Sequence, residues 1–369
     1  MYILSLKLRS FRNYSGCELT LGPHTNVLFG GNAQGKTNLL EAMYLCSRAK
    51  SYRTSSVSDL VLYGEECAEV ELCFFAEGRK QVFRMAVDKK GKKKLFLNDV
   101  PVSKVSRLLE TCKVILFSPD DLLMVKKGPD LRRKFIDNSI SQLKPAYLSD
   151  LVSYCRLVEQ KNKLLKFIKD GRYDEDTLAA WNFKLAEYAA KITAVRKEFV
   201  GELDRVNERI HSAISGQQMH IAYLPNIRDS FLPEDYGERK QIIFRYLQDH
   251  SAQEVKLGLS LYGIHRDDFD LQVNGTDLRQ FGSQGQQRSA VLSLKLSQSE
   301  LIEQQTGERA LILLDDIMSE LDQDRRSFLL SSLGEQQVII TCTDREVYPS
   351  NGDVRYYEIK DGTCREAES

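Results

Sequence analysis

The stretch Gly30-Gly31-Asn32-Ala33-Gln34-Gly35-Lys36-Thr37 constrains this chain more than any other. It follows the apolar run Val27-Leu28-Phe29 and leads into Asn38-Leu39-Leu40-Glu41-Ala42, so a strand ends, the backbone turns tightly and a helix begins. Glycines let such a turn fold round an anion, and the N–H groups at the helix start point inward with the positive end of the helix dipole. This is the spacing of a P-loop. Gly30, Gly31, Asn32, Ala33, Gln34, Gly35, Lys36, Thr37 and Asn38 are therefore expected to bind ATP. Lys36, on a solvent-facing loop, would reach the outer phosphates and the Thr37 hydroxyl would hold Mg²⁺. The bland alternative is a Gly-rich strand-to-helix turn that happens to contain Lys-Thr.

At 369 residues the chain has room for two domains, or for one large domain with an insertion, and 42% hydrophobic content supports a sizeable core. No run approaches the roughly 20 apolar residues that span a bilayer, and Met1 to Leu8 alternates like a strand instead of a signal peptide. A cytoplasmic protein with no membrane partner is expected. The eight cysteines never fall in a two-residue-gap pair and mostly sit in apolar segments, which favours reduced, buried thiols over zinc or disulfides. With a net charge of zero, any case for nucleic acid must come from local patches.

Residues 1–119 read as short strands around the P-loop helix. The run from Lys89 to Lys94 sits at a hairpin tip, where it serves either as a solvated turn that blunts a sheet edge or, through Lys92, Lys93 and Lys94, as a DNA phosphate contact. Residues 120–250 read as a helical arm. Leu178, Trp181, Leu185, Tyr188, Ile192, Val195 and Phe199 recur at gaps of three and four, predicting one amphipathic helix from Thr177 to about Ser212. The segment from Tyr154 to Ile168 is its antiparallel partner, and Lys126-Lys127 and Arg132 to Lys134 are further candidate phosphate contacts. Residues 251–369 return to strands: Leu257 to Tyr262, then Phe269 to Val273 closed by Asn274-Gly275, and later two apolar strands.

The strand Leu311-Ile312-Leu313-Leu314 delivers Asp315 and Asp316. A P-loop needs a carboxylate at the end of a buried strand to hold Mg²⁺, and Asp315 has that place. Asp316 stands where a general base would line up the attacking water, one methylene shorter than a glutamate. Ser283-Gln284-Gly285-Gln286, at a helix start, is a second phosphate-sized cradle. One γ-phosphate does not need two cradles from one subunit, so Ser283, Gly285 and Gln286 are expected to act in trans.

The order of P-loop, distant Ser/Gly signature and aspartate strand resembles the ATP-binding-cassette ATPases, in which one subunit's signature covers ATP held by another. Four features narrow it: Phe11-Arg12-Asn13-Tyr14; the form of the P-loop; Gly263-Ile264-His265-Arg266-Asp267-Asp268 ahead of Ser283 to Arg288; and Leu314-Asp315-Asp316 with Ser319-Glu320-Leu321-Asp322. To about residue 345 the chain resembles the RecF family of bacterial recombination-mediator ATPases.

The resemblance implies an α/β fold, an ABC-type P-loop ATPase head of mixed sheets and helices like those of SMC-like repair proteins, with an inserted helical arm. It implies Arg12 and Asn13 at the nucleotide, an ATP-dependent homodimer, binding to double-stranded and gapped DNA, a RecR-type mediator partner, and recombinase loading. The strand ending at Phe117 lacks a following Gln, and Thr341-Cys342-Thr343-Asp344 lacks a switch His. With Asp316 in the base position, both argue for weak hydrolysis, which the resemblance implies is stimulated by DNA. Thr343 or Asp344 would then sense the γ-phosphate. The competing readings are a transporter's nucleotide-binding subunit, which usually lacks such an arm, and a metabolic P-loop kinase, which needs no signature in trans.

Overall fold

The computed structural model describes residues 1–172, 174–231, 233–345 and 353–367. The chain divides into two compact units, Met1–Leu122 with Arg288–Ser369, and Leu123–Gln287. The boundary expected near 250 thus falls inside the second unit.

In the first unit the N-terminal alternation becomes β1 (Tyr2–Phe11), which turns through Arg12-Asn13 into β2 (Tyr14–Thr20), with Phe11 opposite Tyr14. Then β3 (Thr25–Phe29) ends at the P-loop and the helix Lys36–Arg48. Next come β4 (Cys67–Ala76), β5 (Arg79–Asp88), β6 (Lys93–Leu97), β7 (Val100–Pro101) and β8 (Val114–Phe117). One antiparallel sheet has the order β2-β1-β4-β5-β6-β7.

The second unit is built on three helices, Pro129–Leu143, Pro145–Lys169 and Leu178–Ser215. The last has 38 residues and ends at Gly216, whose φ of 68° suits glycine. At 1.5 Å per residue it is about 57 Å long. Leu178, Leu185, Ile192 and Phe199 of its stripe are buried, and Leu178 packs with Leu165 and Ile168 of the helix Pro145–Lys169. Polar groups organise this interior as much as apolar ones. Arg196, 1% exposed, donates to Asp267 Oδ2 (2.7 Å), to the Ile264 carbonyl (2.8 Å) and to Asp137. Lys161, on the stripe of the partner helix, lies 2.6 Å from Glu254 with neither side chain exposed. A buried charge needs such a partner, because leaving it alone is far costlier than burying the pair.

Several expectations give way here. Arg132 is 4% exposed and holds Asp268 through Nε (2.7 Å) and Nη2 (2.9 Å), and Arg133 donates to the Asp267 carbonyl and to Asp130. Their guanidinium groups are engaged inside the unit, which leaves Lys134 as the exposed member of that run. Leu257 to Tyr262 is not a strand. The helix Ser251–Leu257 stops at Gly258, and the chain folds back because Glu254 accepts from Leu261 N (2.8 Å) and Ser260 Oγ (3.2 Å). The region expected to be helical also holds β9 (Met219–Leu224), which pairs with β10 (Asp268–Val273) from Leu224↔Asp268 to Met219↔Val273. Asn274 (φ 49°) and Gly275 (φ 76°) form the expected turn into β11 (Thr276–Asp277).

The helix Gln284–Thr306 carries the chain back to the first unit, where β12 (Leu311–Leu314), β13 (Val338–Cys342), β14 (Val354–Lys360) and β15 (Thr363–Ala367) complete a second sheet. Its order is β15-β14-β3-β13-β12-β8, parallel apart from β15. A parallel sheet covered on both faces explains why Leu311 to Leu314 are all buried. Leu39, Leu40, Met43 and Leu45 of the P-loop helix join residues of both sheets in one core cluster. Gln337, 1% exposed, ties the sheets together: its amide donates to the Ile3 (2.8 Å) and Gly22 (2.6 Å) carbonyls and accepts from Ile3 N (2.6 Å). Among the cysteines, Cys46, Cys73, Cys112 and Cys342 are buried as expected, whereas Cys67 and Cys155 are exposed.

His265 packs on Tyr154, whose hydroxyl lies 2.9 Å from Nδ1, and burial pushes its pKa from 6.5 down to about 4. The unfolded chain takes up this proton before the folded one does. The stability that His265 contributes is therefore complete above about pH 6.5 and lost as pH falls through about 4, up to about 3 kcal/mol. Urea unfolding at pH 7.5, 5.5 and 4.5 should show a steeper acid loss for the unmodified protein than for His265→Gln; equal slopes would contradict this assignment.

Candidate nucleotide-binding site

In the parallel sheet β3 lies between β13 and β14, with β12 beyond β13, so the segments after these strands emerge at one C-terminal edge. Ligands of open α/β sheets bind at such an edge. There Thr37 Oγ1 donates to Asp315 Oδ1 at 2.9 Å, across 278 residues of sequence. Asp315 is 6% exposed, and burial pushes its carboxyl above the usual range against the opposing pull of the Tyr52 and Thr37 hydroxyls. Tyr52 donates to Oδ2 at 2.8 Å, and Thr341 Oγ1 is 3.3 Å from Oδ1. Asp316 sits at φ 50°, its N–H bonded to Thr341 Oγ1 (2.8 Å) and its carbonyl to Ser319 Oγ (2.9 Å). No hydrogen bond among the described residues engages its half-buried carboxylate.

Lys36 departs from expectation. It is 4% exposed and lies under the loop, donating to the Gly30 (2.6 Å) and Gly31 (2.9 Å) carbonyls. The loop keeps this shape because neighbours grip it from two sides. From the β1–β2 turn, Asn13 Nδ2 donates to the Gln34 carbonyl (3.0 Å), Tyr14 hydroxyl to the Gly35 carbonyl (3.1 Å), and Asn13 Oδ1 accepts from Asn38 (2.7 Å). From the β14–β15 turn, Asp361 N donates to Gln34 Oε1 at 2.6 Å. Contact is so close that a Cβ on Gly30 (φ 150°) would stand 2.3 Å from the Ile359 carbonyl oxygen, and one on Gly35 (φ 117°) 2.6 Å from the Tyr14 hydroxyl.

Behind the loop, Glu41 has no exposed surface and accepts from Arg12 Nε (2.8 Å) and Nη2 (2.6 Å), from Ser51 and from Arg53 (3.4 Å). Arg12, expected at the nucleotide, thus has its guanidinium engaged by Glu41 and by the Asp59 carbonyl (2.7 Å). Arg53 also donates to Asn38 Oδ1 (2.6 Å). Glu41, Tyr52, Arg53 and Thr341 escaped the sequence reading. A lone glutamate within the apolar Leu39 to Met43 run was a usable signal for the first, and Asp361-Gly362 for the supporting hairpin.

In the second unit, Ser283 and Gln286 form a capping box: Ser283 Oγ accepts from Gln286 N (3.2 Å) and Gln286 Oε1 from Ser283 N (2.9 Å). Gln286 Nε2 also donates to Gln217 (3.2 Å), and Gly285 lies in the first turn. At the hairpin tip Lys93 is half-buried and donates to the Ala49 carbonyl (2.9 Å), leaving Lys92 and Lys94 exposed. After β13, Thr343 Oγ1 donates to Asp344 (3.0 Å). Among the described residues no cluster of three or more His, Cys, Asp or Glu could hold a metal. One hydroxyl and one carboxylate, Thr37 and Asp315, fit Mg²⁺, which keeps several waters and is commonly shared with substrate phosphates. No described helix is long and apolar enough to cross a membrane.

A phosphate loop after the central strand of a parallel sheet, facing a strand-end aspartate, defines a P-loop nucleotide-binding head. Residues 2–362 match the family model described as RecF/RecN/SMC N terminal domain. The chain belongs to the RecF family: it is 40% identical to the DNA replication and repair protein RecF of Acetivibrio thermocellus over 98% of its own length and 99% of the relative's. A solved structure of the "recombination mediator protein RecF-ATPrS in RecFOR pathway" superposes with a TM-score of 0.93 at 33% identity, covering 100% of this chain and 98% of that one. The Smc head domain of Pyrococcus furiosus shares the fold, with a TM-score of 0.57 at 17% identity over 99% and 96% of the two chains.

Gly30→Ala tests how closely the loop is held. Its methyl collides with Ile359 backbone, so ATP should bind at least about 10-fold more weakly and the fold should lose about 1–3 kcal/mol. Titration with a fluorescent ATP analogue and urea unfolding measure both; unmodified affinity would mean the loop has room to spare.

Proposed function

We propose that this chain is an ATP-driven DNA-binding switch: it binds MgATP at the P-loop, dimerises on ATP, holds DNA at gaps or single/double-strand junctions, and helps to load recombinase with a RecR-type partner. Slow hydrolysis resets it. The observation that carries the nucleotide part is the Thr37–Asp315 hydrogen bond at the sheet edge, with Lys36 beside it. The names of the RecF relatives support the DNA repair and mediator part. In this reading the unit of Met1–Leu122 with Arg288–Ser369 supplies the ATPase head, and Leu123–Gln287, longer than the expected 120–250, supplies the arm. Lys36 neutralises outer-phosphate charge, Thr37 and Asp315 hold Mg²⁺, and Gly30, Gly31, Asn32, Ala33, Gln34, Gly35 and Asn38 present the loop. Asn13 acts by holding Gln34, and Arg12 by fixing Glu41. Ser283, Gly285 and Gln286 close on the partner subunit's nucleotide, and Lys92 and Lys94 are the exposed cations for DNA phosphate. Lys93, spent on Ala49, contributes less.

Lys36→Met should abolish nucleotide binding and, with it, dimerisation and DNA retention. Ser283→Arg should leave ATP binding by the monomer intact and abolish only the dimer. Sedimentation with ATP, ADP or no nucleotide distinguishes the two. A Ser283→Arg protein that still dimerises would remove the trans assignment, and unchanged ATP affinity in Lys36→Met would remove the P-loop assignment.

Asp316→Asn keeps shape and polarity but cannot accept a proton, so hydrolysis should fall while ATP binding and the dimer survive. Unconsumed ATP then shifts the population towards the DNA-bound state. Asp315→Asn should instead lose Mg²⁺ and the dimer. DNA dissociation rates in MgATP compare the two; fast release by an Asp316→Asn protein that no longer hydrolyses ATP would separate hydrolysis from release.

A further inference from the structure

Tyr52 belongs to the loop after the P-loop helix, where no sequence motif marks it. Its hydroxyl donates to Asp315 Oδ2 at 2.8 Å, while the Thr37 (2.9 Å) and Thr341 (3.3 Å) hydroxyls take Oδ1. The ring meets Tyr44 of the P-loop helix edge-on, with centroids 5.3 Å apart and planes at 79°. The next residue, Arg53, is fixed by Asn38 and Glu41. Tyr52 is thus gripped both through its ring and through its neighbour. A carboxylate bonded through both oxygens cannot rotate about its Cβ–Cγ bond without breaking one of those bonds. Tyr52 is the sole hydrogen-bond partner of Oδ2 among the described residues, so its hydroxyl decides whether the plane is pinned or free.

We infer that Tyr52 is a positioning residue for the metal: it fixes the Asp315 carboxylate so that Oδ1 and the Thr37 hydroxyl face the place where Mg²⁺ enters with ATP. This rests on the proposal that Thr37 and Asp315 hold Mg²⁺. Outer partners of this kind orient a ligand without touching the ion, and their loss typically weakens metal binding about 10- to 100-fold. Tyr52 also joins Asp315 to the Arg12–Glu41–Arg53 cluster, so that the support of the loop and the support of the metal ligand are one structure.

Tyr52→Phe removes one oxygen and keeps the ring on Tyr44. Binding of a fluorescent ATP analogue is followed across Mg²⁺ concentrations and again in EDTA. The Mg²⁺ midpoint should rise about 10- to 100-fold while affinity in EDTA stays within about twofold. Tyr44→Leu disturbs the ring contact and leaves the hydroxyl in place; it should shift the midpoint far less. An unchanged midpoint in Tyr52→Phe, an equal loss of affinity in EDTA, or an equal shift in Tyr44→Leu each overturns the inference. Asp315→Ala serves as reference: if its midpoint is also unmoved, the metal assignment itself fails, which is a different result from failure at Tyr52 alone.

Discussion

A carboxylate without solvent, Glu41, sets the terms for the nucleotide site. Buried on the P-loop helix, it is tolerable only if cations come to it, and Arg12 from the β1–β2 turn and Arg53 from the following loop both do. Satisfying that one charge brings together the hairpin that grips Gln34 and the loop that carries Tyr52. The phosphate-binding backbone, with its left-handed glycines, is held in its conformation by these neighbours and not by its own sequence alone.

The second unit applies the same rule to a different end. Arg196 with Asp137 and Asp267, Lys161 with Glu254, and Arg132 with Asp268 place charges where an ordinary bundle would put leucine. Such pairs add little net stability over apolar packing, yet each tolerates one geometry only. Arg132 and Arg196 join the helices Pro129–Leu143 and Leu178–Ser215 to the segment Gly263–Asp268, and Lys161 joins Pro145–Lys169 to the helix Ser251–Leu257 that precedes it.

Strong local signals survived contact with the structure. The P-loop, the apolar strand ending in Asp315, the long helix and the Asn274-Gly275 turn each follow from spacing within a dozen residues or so. What escaped depends on distant partners. Leu257 to Tyr262 has strand composition, but Glu254 draws its backbone elsewhere. Arg132 and Arg133 read as surface charge until Asp267 and Asp268 arrive from more than a hundred residues away. Tyr52 and Thr341 carry no local pattern, since their significance lies in Asp315. Asp361-Gly362, by contrast, is a local turn signal of the same kind as Asn274-Gly275.

The strand order also governs when during synthesis the site can exist. β3 is made early, but its neighbours in the sheet, β13 and β14, are translated roughly 300 residues later. At about 5–20 residues per second, the phosphate loop waits about 15–60 s for the strands that frame it. The contiguous second unit, Leu123–Gln287, emerges within that interval and depends on no later segment for its internal pairings. A ribosome stalled before β13 therefore exposes a chain whose second unit is fully synthesised while the strands that frame the phosphate loop are still missing.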